Sequence, residues 1–433
     1  MSAGICIMNK QAIAMAADSA VMIGNHEAIH NSANKLFSLS RIAPVGLIIY
    51  ANSTLMNVPV EIIVKEYKRN LGDKTFPHLK DYVDDFLEYI QNNSDLFRFK
   101  INEDDYVMSL FSNLMCGLLG DYRNYMEAKE KELERMLTDE EKSEVGERAY
   151  LGTIMYVASL PPCVDNGFTG YIKNKYLGQF RKLFQMKLEY SWLTDSQVNA
   201  LCEKSCELFD TIFDRNNYVG IAIAGYGEEE IYPHMRHLHI SGCINGRLRY
   251  YELETVEICE NNPASVIPLA QTDVMQTFLF GINDRFLRDL SQELPRQIAK
   301  CMENIDDSCF VPGKKSIVYD QINSLTEDIL KHTTEIGIED YMKPIILSVS
   351  SLPIEELGLL AESMINITSL RRKVALDQNI GTVGGPIDVS IITKSDGFIW
   401  LKRKHYFDRK YNPQYYYSHY GRMGESGNEE EKV

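Results

Sequence analysis

Three residues that can take part in catalysis lie within the first 35 positions of the chain: Ser2, Asp18 and Lys35. Residues 4–8 and 12–17 are short apolar runs, and the polar residues between them are typical of a hairpin turn. Such a hairpin returns the chain to its start, so we expect Asp18 at a strand end close to Ser2. This pairing constrains the fold because it fixes the chain's N-terminus inside a sheet.

The chemistry of Ser2 depends on what precedes it. Only Met1 precedes Ser2 in the sequence, and an initiator methionine before a small residue is normally removed. We therefore expect Ser2 to carry a free α-amine. That amine, with an ordinary pKa of about 7.7 to 8.0, can accept the proton of the serine hydroxyl near neutral pH. A lysine beside the hydroxyl favours the charged transition state, and Asp18 is expected to keep Lys35 charged and oriented. Together these residues predict a hydrolase that acts through an acyl-enzyme.

The sequence around these residues resembles the proteasome β-subunit family, including bacterial HslV and Anbu-type homologues, which are N-terminal nucleophile (Ntn) hydrolases. Counted from Ser2, Asp18 occupies the seventeenth place, where that family keeps an aspartate, within the run Ala16-Ala17-Asp18-Ser19. Lys35, in the segment Asn34-Lys35-Leu36-Phe37, is similar to the catalytic lysine of the family after one extra loop residue. The resemblance implies a four-layer αββα sandwich of the α+β class.

The resemblance also implies an oxyanion-binding strand end at residues 48–53. Ala51 stands where the family usually has glycine, with Asn52 and Ser53 beside it as oxyanion- or substrate-binding residues. A backbone N–H is all that the oxyanion requires, so alanine is acceptable there if its φ is negative.

A second part of the resemblance lies near the C-terminus. Asp377 and the stretch from Gly381 to Val389 are similar to the Arg-Asp-x-x-Ser-Gly-Gly segment of the family, with a longer spacing before the glycines. The resemblance makes Asp377 an auxiliary acid near the N-terminal amine and Thr382 the accompanying hydroxyl. The segment Ala270-Gln271-Thr272 is a counterpart of the family's Gly-Ser-Gly turn.

Composition excludes several classes of function. The chain has 433 residues, a formal net charge of −16 and 45% hydrophobic residues, so nucleic acid and anionic lipid are poor partners. No signal peptide and no apolar run of about eighteen residues is present, which argues against secretion and membrane insertion. The unpaired spacing of nine cysteines favours a reducing, cytoplasmic location.

Neither a metal nor a cofactor is expected. Cys202 and Cys206 form the only close cysteine pair, and they are interpreted as one face of a helix. His237 and His239 alternate along a strand without carboxylate or cysteine neighbours, which is an incomplete set of metal ligands.

We expect a single domain over 2–433 whose core comprises residues 2–70, 215–256 and 340–404. Helical insertions are predicted at 71–214 and 257–339, and a tyrosine-rich and then acidic tail at 405–433. The first insertion contains capping boxes at Thr138 and Thr194, and a core helix should begin at Pro353, with acidic residues in its first turn and basic residues in its last.

The function expected from the resemblance is that of a proteasome-like peptidase which cleaves amide bonds with Ser2. It also implies a homo-oligomer, as a ring or a related assembly, and the insertions are a possible docking site for a partner protein. Two alternatives stay open: a small-molecule amidase or acylase on the same fold, and an inactive scaffold protein. The latter is favoured if Met1 is retained or Ser2 is acetylated, because either change removes the free base.

Overall fold

The structure is a computed structural model, and it describes residues 3–23, 28–163, 167–186, 190, 192–213, 217–305, 315–374, 383–405, 407 and 409–414. The described residues form strands β1 Gly4–Asn9, β2 Ile13–Ala17, β3 Val21–Ile23, β4 Ala28–His30, β5 Leu36–Ser38, β6 Val45–Ala51, β7 Thr54–Leu55, β8 Val58–Pro59, β9 Val219–Gly225, β10 His234–Ile244, β11 Arg247–Glu257, β12 Ala264–Ala270, β13 Asp388–Thr393 and β14 Gly397–Lys402. The helices are α1 Val60–Leu71, α2 Leu79–Asn92, α3 Phe99–Leu133, α4 Asp139–Ser159, α5 Thr169–Met186, α6 Asp195–Glu207, α7 Asp273–Phe280, α8 Asp284–Glu303, α9 Lys315–Ile336, α10 Lys343–Ser350 and α11 Ile354–Val374.

Two five-stranded antiparallel sheets form the centre of the molecule. The first has the order β12-β1-β2-β13-β14 and the second the order β11-β10-β9-β6-β5. Side chains alternate along each strand, so each sheet presents two apolar faces. In β1, for example, Cys6 and Met8 lie in the core between the sheets, whereas Ile5 and Ile7 face the other way.

Helices cover the outer faces of both sheets. Residues of α11, such as Leu357 and Ala361, pack on the outer face of the first sheet. Residues of α1 and α2, such as Tyr67 and Phe86, pack on the outer face of the second sheet. The layers therefore follow the order helix, sheet, sheet, helix, and the mixed α+β class expected from the sequence is confirmed.

The predicted hairpin near the N-terminus is also confirmed. Met8 pairs with Ile13 across the β1–β2 hairpin, and the Asn9 side chain accepts hydrogen bonds from the amides of Gln11 and Ala12 within the turn. An asparagine that caps its own turn in this way fixes the register of the two strands. That register brings residue 18 beside residue 3, because the Asp18 amide donates to the Ala3 carbonyl at 3.1 Å.

The helical regions differ in part from expectation. Helices α3 to α6 share their own apolar core, which includes Phe111, Phe180 and Leu201. Helix α2, inside the predicted first insertion, instead packs on the second sheet. Residues Ala264–Ala270, inside the range predicted to be a helical insertion, form β12 and pair with β1. Pro268 is tolerated there because β12 is an edge strand.

Candidate functional site

Asp18 is the centre of the site. It directly follows β2, only 1% of its surface is exposed, and its carboxylate accepts four hydrogen bonds. One oxygen, Oδ1, accepts from the Lys35 ammonium at 2.6 Å and from the amide of Ala3 at 2.9 Å. The other, Oδ2, accepts from the amides of Ala20 at 3.2 Å and Gly384 at 3.1 Å. A buried carboxylate with this many donors is held in one orientation.

Lys35 lies just before β5 and is as deeply buried as Asp18, with 3% of its surface exposed. Its ammonium donates to Asp18 and, at 2.5 Å, to the carbonyl of Ala20. Burial lowers the pKa of Lys35, although the adjacent Asp18 carboxylate opposes this effect. A lysine in this state is an oriented cation that releases a proton more readily than one in water.

The glycine pair predicted near the C-terminus lies against Asp18. Besides the bond from its amide to Asp18, Gly384 accepts a hydrogen bond from the Ser19 amide at 3.2 Å. Gly385 has a φ of +75°, and a Cβ at that position would lie 2.8 Å from Asn31. A glycine is therefore required at 385 for both backbone conformation and space. Three of the predicted catalytic residues, Ser2, Asp377 and Thr382, lie outside the described residues.

The strand whose end was predicted to bind the oxyanion is present as β6, but Ala51 does not meet the condition of a negative φ. Ala51 ends β6 with a φ of +64°, in the left-handed region that favours glycine. The amide of Asn52 donates to the Tyr218 carbonyl at 3.3 Å, and the Ser53 carbonyl accepts from the Val60 amide at 3.0 Å. The two residues that follow the strained Ala51 are thus each held by a backbone hydrogen bond.

A polar cleft adjoins this strand end. It has a volume of about 290 Å³, and its lining includes Asn52, Asn57, Asn102 and Asn217. Amide side chains both donate and accept hydrogen bonds, which is the chemistry needed to hold an extended polar chain.

A buried hydrogen-bonded chain next to Ala51 was not predicted as part of the site. The Tyr50 hydroxyl lies 2.6 Å from Nε2 of His237 and 2.6 Å from Nε2 of His239. Nδ1 of His239 lies 2.7 Å from the Tyr251 hydroxyl. The Tyr50 ring fits because it packs over Gly220, where a Cβ would lie 2.1 Å from the ring.

Burial lowers the pKa of His237 to about 4 and that of His239 to about 3, with His237 adding to the effect on His239. Both rings are therefore neutral at physiological pH. The alternating histidines are visible in the sequence, but their meeting with Tyr50 depends on the register of three strands.

The described part of the chain contains no group of three or more His, Cys, Asp or Glu residues placed to hold a metal ion. Cys202 and Cys206 lie on one buried face of α6, as expected, and the Cys206 thiol donates to the Cys202 carbonyl. Burial raises the pKa of Cys202 to about 12 and that of Cys206 to about 11, so both are inert thiols. None of the helices described here is both long enough and apolar enough to span a bilayer.

Comparison with known proteins gives limited similarity. No protein-family model matches the chain, and no curated protein matches it. Solved structures do match, among them an Anbu (Gly-1) mutant from Hyphomicrobium sp. strain MC1. That alignment covers 100% of this chain and 100% of the other chain, at 10% sequence identity and a TM-score of 0.34. A similarity this low does not assign the chain to a family.

Proposed function

We propose that the protein is an Ntn hydrolase that cleaves peptide or related amide bonds with Ser2 as its nucleophile. The observation that carries the proposal is the position of the Asp18 carboxylate. A single oxygen of this buried group contacts both the Lys35 ammonium and the amide of Ala3, the residue that follows Ser2. In the proposed mechanism this link holds the positive charge of Lys35 beside the N-terminal end of the first strand, where it favours the charged transition state.

Two further observations support the proposal. The layer order of helix, sheet, sheet and helix is the one expected for the Ntn fold, and Gly384 binds Asp18 from the C-terminal segment. A four-layer fold alone does not establish activity, because the same architecture can carry an inactive protein. The main support for the proposal is therefore the Asp18–Lys35 pair.

The proposed reaction has two halves. In the first, the Ser2 α-amine takes the hydroxyl proton, Oγ bonds to the substrate carbonyl carbon, and a backbone amide at Ala51 stabilises the oxyanion. The carbon–nitrogen bond then breaks, and the leaving amine takes the proton held on the α-ammonium. In the second half, water attacks the carbonyl carbon of the Ser2 ester and gives a proton to the α-amine. The bond between that carbon and Oγ then breaks, and Oγ takes the proton back from the α-ammonium, which releases the acid and the free serine. Lys35 supplies positive charge throughout, and Asp377 and Thr382 are assigned supporting roles.

The proposal is tested first on the unmodified protein. Intact-mass analysis should show loss of Met1 without acetylation, and an acylating β-lactone probe should add one adduct, located at Ser2 by peptide mapping. An N-terminal tag should abolish labelling and a C-terminal tag should not. Comparing the rate of cleavage of fluorogenic peptides with that of acyl amides then distinguishes a peptidase from a small-molecule amidase.

A pair of variants separates catalysis from folding. Lys35→Met leaves the Asp18 charge buried without its cation, so it should lower both the rate of labelling and the stability. The double variant Asp18→Asn/Lys35→Met removes both charges and should recover most of the lost melting temperature. Its labelling should stay at least about 100-fold slower than that of the wild type, the usual loss for a key electrostatic group. Labelling of the double variant at the wild-type rate would refute the role of the pair.

A further inference from the structure

A second cleft, whose lining includes Asn34 and Leu36 on either side of Lys35 in the sequence, lies between α1 and the end of β14. It has a volume of about 380 Å³, which is within the range of small-ligand pockets. One wall is formed by β5 and α1, and the other by the residues that end and follow β14. Its lining contains four lysine or arginine side chains, namely Lys65, Lys68, Arg403 and Lys404.

Two of these four cations are already neutralised. Lys65 pairs with Glu61 at 2.7 Å, and Lys404 forms an ion pair with Asp388. The other two, Lys68 and Arg403, have no carboxylate within salt-bridge distance among the residues described. The Lys68 ammonium donates to the Ser38 hydroxyl at 3.0 Å, and the Arg403 guanidinium lies 4.7 Å from the centre of the Trp400 ring.

The surroundings of Lys68 disfavour its positively charged form. The side chain is half-buried, and its burial, together with the neighbouring cations Arg403 and Arg41, lowers the pKa of Lys68 to about 8. A bound anion would oppose this lowering of the pKa, since an opposite charge favours the protonated lysine. A local excess of positive charge is unexpected in a chain whose net charge is −16.

We propose that this cleft binds a small, multiply charged oxyanion, with Lys68 and Arg403 as the binding cations. The guanidinium offers a planar fork for two oxygens of a phosphate or carboxylate group, and the ammonium neutralises a third. Trp400 holds the guanidinium at the wall of the cleft, and the Ser38 hydroxyl holds the ammonium. The site does not depend on the hydrolase function proposed above.

The test is isothermal titration calorimetry on the full-length protein at pH 7 and low salt. Pyrophosphate and citrate serve as separate probes for phosphate and carboxylate chemistry. At least one probe should bind, and Lys68→Met and Arg403→Met should each weaken it by about 10-fold or more, as expected for the loss of a charge-assisted hydrogen bond. Preference for pyrophosphate would assign a phosphate ligand, and preference for citrate a carboxylate ligand.

Lys65→Met is the matched control. Lys65 lies one turn earlier on α1 and lines the same cleft, but its charge is already balanced by Glu61. This variant should change the affinity by less than about threefold, the usual range for an exposed ion pair. Equal weakening by all three variants would show only general attraction to a basic surface and would overturn the proposal. The proposal would also be overturned if neither pyrophosphate nor citrate bound at millimolar concentration. Arg403 is exposed, so its variant keeps the test valid if Lys68→Met fails to fold.

Discussion

At the scale of single residues, the site depends on how completely a few buried groups are satisfied. Asp18 accepts from three backbone amides and one ammonium. A carboxylate held by backbone donors of its own loop and of two other segments can move only if those segments move. The same carboxylate therefore fixes the start of β1 and the glycine pair near Gly384, as well as the lysine.

Ala51 is the residue where backbone strain is concentrated in the site. Its φ of +64° costs an L-residue about 1 kcal/mol or more. Relief of about 1 to 2 kcal/mol of strain, less about 0.5 to 1 kcal/mol for the greater entropy of glycine in the unfolded chain, means that Ala51→Gly should raise the free energy of unfolding by about 0.5 to 1 kcal/mol. Urea denaturation of the two proteins at pH 7.5 measures the difference.

Ala33→Gly is the control for this substitution, because Ala33 is partly buried and does not have a positive φ. There the added freedom of the unfolded chain acts alone, and stability should fall by about 0.5 to 1 kcal/mol. An Ala51→Gly variant that is destabilised as much as the control would mean that residue 51 is not in the left-handed conformation.

At the scale of secondary-structure elements, the Tyr50–His237–His239–Tyr251 chain ties β6 to β10 and β11 beside the candidate oxyanion strand. The hydrogen bonds along this chain can run in either direction. In both directions each histidine is neutral, with one ring nitrogen that donates and one that accepts. Protonation of both rings would give the Tyr50 hydroxyl two histidine partners that can only donate.

The low histidine pKa values predict a loss of stability in acid. The unfolded chain binds protons at these histidines below about pH 6.5, whereas the folded chain does not until about pH 4 and pH 3. Stability from the pair is thus present above pH 6.5 and is lost as the pH falls through this window. Between pH 8 and pH 5.5 the wild type should lose about 3 kcal/mol more than the His237→Gln/His239→Gln variant.

Urea titrations of both proteins at the two pH values give this difference. Subtracting the variant removes the contribution of other groups that titrate in the same range, including Glu254, which pairs with His237 across the strands and whose pKa is raised by burial. His332→Gln, at a side chain that is 74% exposed, should behave as the wild type does. If the pH dependence of the double histidine variant equals that of the wild type, the rings are not buried as neutral groups.

Much of the local structure could be predicted because its causes are local. The turn at Asn9, the capping boxes at Thr138 and Thr194, and the charged ends of α11 are all confirmed, and each depends on residues a few positions apart. The strand β12 could not be predicted, since Pro268 breaks its pattern and only pairing with β1 makes it a strand.

The same distinction applies to the candidate site. The order of Asp18 and Lys35 in the sequence predicts that they interact, and the ion pair is present. The contact of Tyr50 with His237 and His239, by contrast, joins positions about 190 residues apart. It requires the register of three strands, which no single-sequence pattern specifies.

At the scale of the whole molecule, two buried charges connect the helical region to the second sheet. Glu103 on α3 accepts from Tyr171, Lys175 and Tyr176 and from the amide of Asn245 at the β10–β11 turn. Arg249 on β11 is fully buried and donates to the carbonyls of Leu208, Phe209, Thr211 and Phe213, and to the Tyr106 hydroxyl. The region that lies after α2 is therefore attached through polar contacts as well as apolar ones.

Removal of the Arg249 charge should uncouple these two parts. Arg249→Met removes at least five hydrogen bonds that the buried guanidinium donates, so stability should fall by about 3 kcal/mol or more. Because α3 to α6 have an apolar core of their own, the loss should appear in urea as two separate transitions instead of one. Arg236→Met, which removes a surface cation paired with Glu252 at 3.0 Å, should cost less than about 1 kcal/mol and keep one transition. A single cooperative transition in Arg249→Met, close to that of the wild type, would show that the Glu103 contacts and apolar packing join the helical region to the sheet without Arg249.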